Sequence, residues 1–204
     1  ISGMFAWKLP FLTCLAAVIM AAATVMPAQS TVGKIDRYVK SIERITKTPS
    51  KLIFADTSDY QAGQPNWRKF TSTRSLDKFR ESSEVYSMAF CWKVGAKIVG
   101  VKAADFTPSG DWARYTDHYF RSDGSLARVD SELRTFDGDY IIKQMLYFNE
   151  AGRRIRRVVN YYDLRTKKPK QMTSEMKAET NGYLEFDQYK NTKKLPFAKI
   201  AGIR

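Results

Sequence analysis

The stretch "YFRSDGSLARVDSELRTFDGDYIIKQMLYF", residues 119–148, decides the fold. In its centre Ala127, Val129, Ser131, Leu133 and Thr135 alternate with Arg128, Asp130, Glu132 and Arg134. That period of two places one set toward a core and the other toward water, as in a half-buried strand. The connections "RSDG" and "DGD" are glycine- and aspartate-containing turns, short enough to require antiparallel neighbours.

The same grammar extends outward. Upstream, "EVYSMAFCWKV" and "KIVGVKAADF" flank Gly95-Ala96, and "TPSGD" leads into "WARYTDHYF"; downstream, "NEAG" leads into "RRIRRVVNYYDL". The start of the domain follows a different period. Val32, Ile35, Val39, Ile42 and Ile45 recur at steps of three and four, which predicts an amphipathic helix over residues 32–47, ended by Pro49. "RSLDKFRESS" adds a helical turn or two, with Ser72 or Ser75 as its cap. Near the C-terminus "YLEF" predicts a short strand after an Asn181-Gly182 turn, and Pro196 predicts an extended last segment. The expected fold is α+β and mostly β: an N-terminal amphipathic helix packed on a curved antiparallel meander of about seven or eight strands, a half-barrel or partly open barrel.

A weak repeat runs through the meander. Tyr119-Phe120, Tyr147-Phe148 and Tyr161-Tyr162 fall 28 and 14 residues apart, and Gly124 and Gly152 follow the first two pairs by five. On "YFRSDGSLARV" and "YFNEAGRRIRRV" the chain resembles the hairpin units of YD-type and MORN-like repeat proteins. That resemblance implies β-hairpin architecture and carries no catalytic residue with it.

Residues 1–30 form a separate region. After Met4 come one lysine, Lys8, an apolar run from Phe11 to Met26, and Ala28-Gln29-Ser30 with small residues where a signal peptidase reads. This layout predicts a secretory signal peptide with cleavage after Ser30, rather than a retained anchor; "FLTC" around Cys14 lacks the features of a lipobox. The expected protein is therefore periplasmic or extracellular, with residues 31–204 as a single domain. The whole chain of 204 residues carries a net charge of +13; without residues 1–30 it keeps 33 basic and 21 acidic residues. Its 44% hydrophobic content supports a packed core rather than disorder. Cys91 is then the single cysteine, in the apolar context "SMAFCWKV", which fits a buried small hydrophobe.

Motifs of catalysis are missing from the sequence. It has no glycine-rich phosphate loop, G-x-S-x-G, H-E-x-x-H or C-x-x-C, and its lone histidine, His118, gives no metal-ligand cluster. No cofactor or metal is expected. Ser75 and Lys78 fit S-x-x-K, but without a companion K-T-G they read as a helix cap. Asp117 and His118 are strand neighbours on opposite faces and cannot act as a dyad, so His118 is expected at a strand surface or end. Asp130 and Glu132 share a face between Arg128 and Arg134, a charge ladder rather than a glycosidase pair.

The remaining candidate is basic. Arg153, Arg154, Arg156, Arg157, Arg165, Lys167, Lys168 and Lys170 stand against Asp163 alone between residues 153 and 170. On strict alternation Arg153, Ile155, Arg157, Val159 and Tyr161 share one face, with "VVNYY" entering the core. Export argues against nucleic acid and leaves lipid headgroups, acidic polysaccharide or an acidic protein subunit as partners. The leading expectation is a non-enzymatic binding or accessory protein that presents this basic surface to an anionic partner. The alternatives are a periplasmic carrier of an apolar ligand and a hydrolase with an unrecognised site.

Overall fold

A computed structural model describes residues 26–203, apart from 51 and 60–62. The expected signal peptide lies almost wholly outside the described residues. Helix α1 (Met26–Thr46) is followed by β1 (Leu52–Asp56), β2 (Trp67–Phe70), α2 (Thr73–Arg80), β3 (Ser87–Val94) and β4 (Lys97–Phe106). Then come β5 (Trp112–Phe120), β6 (Leu126–Thr135), β7 (Tyr140–Phe148), β8 (Arg154–Asp163) and the short α3 (Ser174–Glu179). The eight strands form one antiparallel sheet in the order β2-β1-β3-β4-β5-β6-β7-β8, open at β2 and β8.

The tight turns explain why the strands pair with their chain neighbours. Gly110, Gly124 and Gly152 all have positive φ, and each amide donates to the residue three before it, Thr107, Arg121 and Asn149, at 2.9–3.0 Å. A glycine adopts this left-handed backbone without steric cost, so each turn closes a hairpin.

The faint repeat of the sequence has a structural counterpart. The ladder slips by one residue in each of three hairpins: at Trp92/Lys93, at Tyr119/Phe120 and at Tyr147/Phe148. The extra residues are Val99, Ala127 and Ile155, spaced 28 apart. All three belong to one apolar cluster with Val32, Ile35, Val39 and Ile42. A bulge turns its extra side chain to the face it would otherwise avoid. For that reason Ala127 leaves the face of Val129, and Ile155 leaves the face of Val159, correcting the strict alternation read from sequence. Gly100, beside the first bulge, has the space for a Cβ occupied by Ile42 and Thr46 methyls at 3.2 Å.

Three other clusters belong to the core, one of them Leu133, Tyr140 and Ile142 packed with Tyr161, Met176 and Leu184. Leu76 and Phe79 of α2 bury Ile53, Ala55, Met88 and Ala104. On the opposite sheet face Phe54, Cys91, Val101, Phe120 and Leu146 pack with Leu195, Phe197 and Ala198 from the C-terminal segment. Phe197 stacks on Phe54 with ring centroids 4.4 Å apart. Helix α2 is capped by Ser72, and the Ser75 hydroxyl accepts from the Ser72 amide and donates to the Ser72 carbonyl. Ser75 is therefore a cap partner of the helix.

The C-terminal expectations are corrected. Thr180–Leu184 form a 3-10 turn, so "YLEF" is no strand. The segment after Pro196 is not extended either: Ala201 donates to Phe197 and Ile203 to Ala198, turns that let Phe197 enter the core.

Candidate functional site

β8 is the last strand of the open sheet, and its two ends carry different basic groups. Arg153, Arg154, Arg156 and Arg157 are exposed at its beginning. Arg156 lies over the Tyr147 ring at 5.9 Å, and Arg157 donates to Gln144 Oε1 at 2.9 Å. Among the described residues none of the four forms an ion pair. Their positive charge is not neutralised locally.

Arg165, Lys167, Lys168 and Lys170 sit past the other end of β8, about 30 Å away at ~3.3 Å per residue. Here the Asp163 carboxylate accepts from the Thr166 amide and hydroxyl at 2.7 and 2.9 Å and from the Arg165 amide at 3.1 Å, and these bonds hold it below the usual carboxylate range. Arg165 pairs with Asp139 at 3.2 Å. Lys170 donates to Gly138 O and covers the Tyr140 ring at 4.3 Å, while the Lys167 ammonium donates to Leu164 O. Lys168 is exposed. The eight basic residues thus form two groups. The first carries free charge, and three of the second four are tied to a turn. "VVNYY" does not enter the core as the alternation suggested: Val158, Val159, Tyr161 and Tyr162 are half-buried and Asn160 is exposed, because β8 has a neighbour strand on one side only.

Outer-edge geometry adds a second property. Lys170 N donates to Tyr161 O, and Asp163 N donates to Lys168 O, so the backbones of Tyr161 and Asp163 face outward. Backbone direction alternates along a strand, which makes Val159 and Arg157 face outward too. Among the described residues no backbone group meets them there.

A second polar assembly, not foreseen from sequence, lies under the C-terminal segment. The ladder places Ala89, Ala103, Thr116, Ser131 and Gln144 in one row across five strands. These small or polar side chains form a trough, and residues 183–187 lie over it as a strap. Arg114 donates to the carbonyls of Glu185 and Tyr183 at 2.6 and 2.9 Å, and Gln144 donates to Leu184 O at 3.1 Å. These bonds take the strap's carbonyls out of any ladder, which is why "YLEF" forms no strand.

His118 belongs to this assembly and is 1% exposed, which corrects its expected place at a strand surface or end. Its Nε2 lies 3.3 Å from the Asp187 carbonyl oxygen. A carbonyl only accepts, so Nε2 carries the proton and Nδ1 keeps a lone pair. Nδ1 has no hydrogen-bond partner. Burial pushes the imidazole pKa down to about 4, against the opposing pull of Asp187. The ring borders a cavity of about 100 Å³ with Asp105, Arg114, Thr116, Asp187 and Tyr189. Burial also raises the Asp105 carboxyl, while a Ser87 hydrogen bond and Arg114 oppose that rise. Among the described residues the lining contains no serine or cysteine, and its cationic group, Arg114, is spent on the strap.

On the other face the acids form a ladder. Asp117 and Asp130 are direct cross-strand partners. Arg128 grips Asp130 at 2.5 Å and Asp36 at 3.0 Å; Glu132 pairs with Arg134 at 2.7 Å and Lys143 at 2.9 Å. Burial raises the Asp117 carboxyl to about 6, with Asp130 and Glu43 adding to the rise and Lys102 opposing it. Burial raises the Cys91 thiol, leaving it protonated and unreactive. Among the described residues no group of three or more His, Cys, Asp and Glu is placed to hold a metal ion.

No known protein family, curated protein or solved structure matches this chain.

Proposed function

We propose that the protein is an exported, non-enzymatic binding or accessory protein that presents the basic outer edge of its sheet to an anionic partner. In this reading it is an α+β half-barrel, with the N-terminal helix seated on a curved meander, and it works in the periplasm or outside the cell. One observation carries the proposal: Arg153, Arg154, Arg156 and Arg157 are gathered and exposed at the start of the edge strand β8, without ion pairs among the described residues. Uncompensated surface charge of one sign attracts anions over about a Debye length, ~10 Å at 0.1 M salt.

The test compares two variants of the purified protein. R153Q/R154Q/R156Q/R157Q removes the free group, and R165Q/K167Q/K168Q/K170Q removes the same formal charge from the tethered group. Binding is read on phosphatidylglycerol vesicles and on an acidic peptide. The first variant is expected to lose binding and the second to retain most of it. Equal losses would show that net charge matters and the edge does not.

A further inference from the structure

The edge that carries the arginines is also an unfilled place in a β-sheet. Arg154–Asn160 offer about 23 Å of strand at ~3.3 Å per residue, with Arg157 and Val159 directing N–H and C=O groups outward. The chain itself begins to fill the ninth position: Pro169 forms a bridge with Tyr162, and Lys168 and Lys170 bond to Asp163 and Tyr161. That cover stops at Tyr161.

We infer that a partner protein docks here by strand addition, laying an acidic extended segment along Arg154–Asn160 in line with Lys168–Lys170. The inference rests on the proposed function and names the partner's class. Main-chain bonds to a sheet edge supply affinity without sequence preference, and alternate side chains supply the specificity. Here Arg154 and Arg157 stand on the face of Phe148 and Leu146, and Arg156 stands on the other, over Tyr147. A carboxylate on either face of the incoming segment therefore meets a cation at this end, and a segment of alternating glutamate and valine turns all its carboxylates to one of those faces. Val158 and Val159 follow, half-buried, and match apolar residues further along the segment. A second copy of this chain is a poor occupant, because antiparallel pairing over Arg154–Asn160 would bring the arginine groups of the two copies together around Arg157. Like charges on an edge are a device against such self-pairing.

The probe is a fluorescein-labelled peptide of alternating glutamate and valine, with a twin N-methylated at every second residue. The twin keeps every charge and loses the donors that a strand needs. The expected result is binding of the unmethylated peptide with new hydrogen-exchange protection at the Arg157 and Val159 amides. The twin should bind at least about tenfold more weakly. A Val159→Pro variant, checked by far-UV circular dichroism and melting, should reproduce that loss with all arginines in place, since proline is tolerated on edge strands. Equal affinity for the two peptides, or no new protection, overturns strand addition and leaves the basic-surface reading standing. No binding of either peptide at low salt overturns both. Self-association that protects the β8 amides without peptide would assign the edge to a second copy and overturn the inference.

Discussion

His118 and Asp117 are consecutive residues on opposite faces of β5, and they make opposite contributions to stability as pH falls. Burial gives His118 a folded pKa of about 4 against 6.5 for an ordinary histidine. The unfolded chain therefore takes up its proton first, and the neutral imidazole's contribution is complete above pH 6.5. It is lost as pH falls toward 4. Two and a half pH units correspond to about 3 kcal/mol. His118→Gln isolates this effect, because the amide nitrogen reaches the Asp187 carbonyl as Nε2 does and never titrates. At pH 7 the variant should lie within about 1 kcal/mol of the parent. At pH 4 it should be the more stable by about 2–3 kcal/mol. Urea unfolding at unit pH steps from 7 to 4 gives the difference directly, since all other groups are shared. Parallel stability curves for the two proteins across that range would refute the buried neutral imidazole. Asp117 works the other way. Its folded pKa of about 6 lies above the 3.8 of an ordinary aspartate, so the carboxylate costs stability above pH 6, and that cost disappears as pH falls through 6 toward 3.8. The side chain is about one-third exposed, so screening holds the effect near 1 kcal/mol. Asp117→Asn should be stabilising at pH 7 and neutral at pH 4.

The other predictions concern the pieces that flank the sheet. Phe197→Ala removes a ring stacked on Phe54 and tilted against Trp67, and should cost about 3–5 kcal/mol in chemical denaturation; a loss below about 1 kcal/mol would show that the C-terminal segment is not part of the core. Arg114→Met removes both guanidinium bonds to the strap and should make residues 183–187 the first site of limited proteolysis, whereas a wild-type cleavage pattern would contradict the strap. Gly100→Val meets the Ile42 and Thr46 methyls and should lower stability by about 1–3 kcal/mol; no effect would mean that α1 does not sit there.

The meander was legible because its order is local. Each turn carries its own glycine, and "SLARVDSELRTF" states its faces by alternation alone. The bulges were not legible, since a slip of one residue at Ala127 or Ile155 depends on which strand lies opposite. The trough was hidden for the same reason. Ala89, Ala103, Thr116, Ser131 and Gln144 are scattered over 56 residues and become one row only through the register. Nothing beside His118 in sequence marks it as buried, because its cover comes from residues 186–197, far along the chain. The arginines could be read as a cluster, but their separation from Arg165, Lys167, Lys168 and Lys170 depends on the length of β8. Its place at the sheet's edge depends on all seven strands before it.

The most direct test of the central claim is the salt dependence of binding at that edge. The apparent Kd of the alternating glutamate–valine peptide is measured from about 0.05 to 0.5 M salt, over which the Debye length shrinks about threefold. The edge reading predicts at least about tenfold weakening across that range for the parent protein, and weak, nearly salt-independent binding for R153Q/R154Q/R156Q/R157Q. A parent Kd that stays constant with salt, or a variant that binds as the parent does, would contradict it.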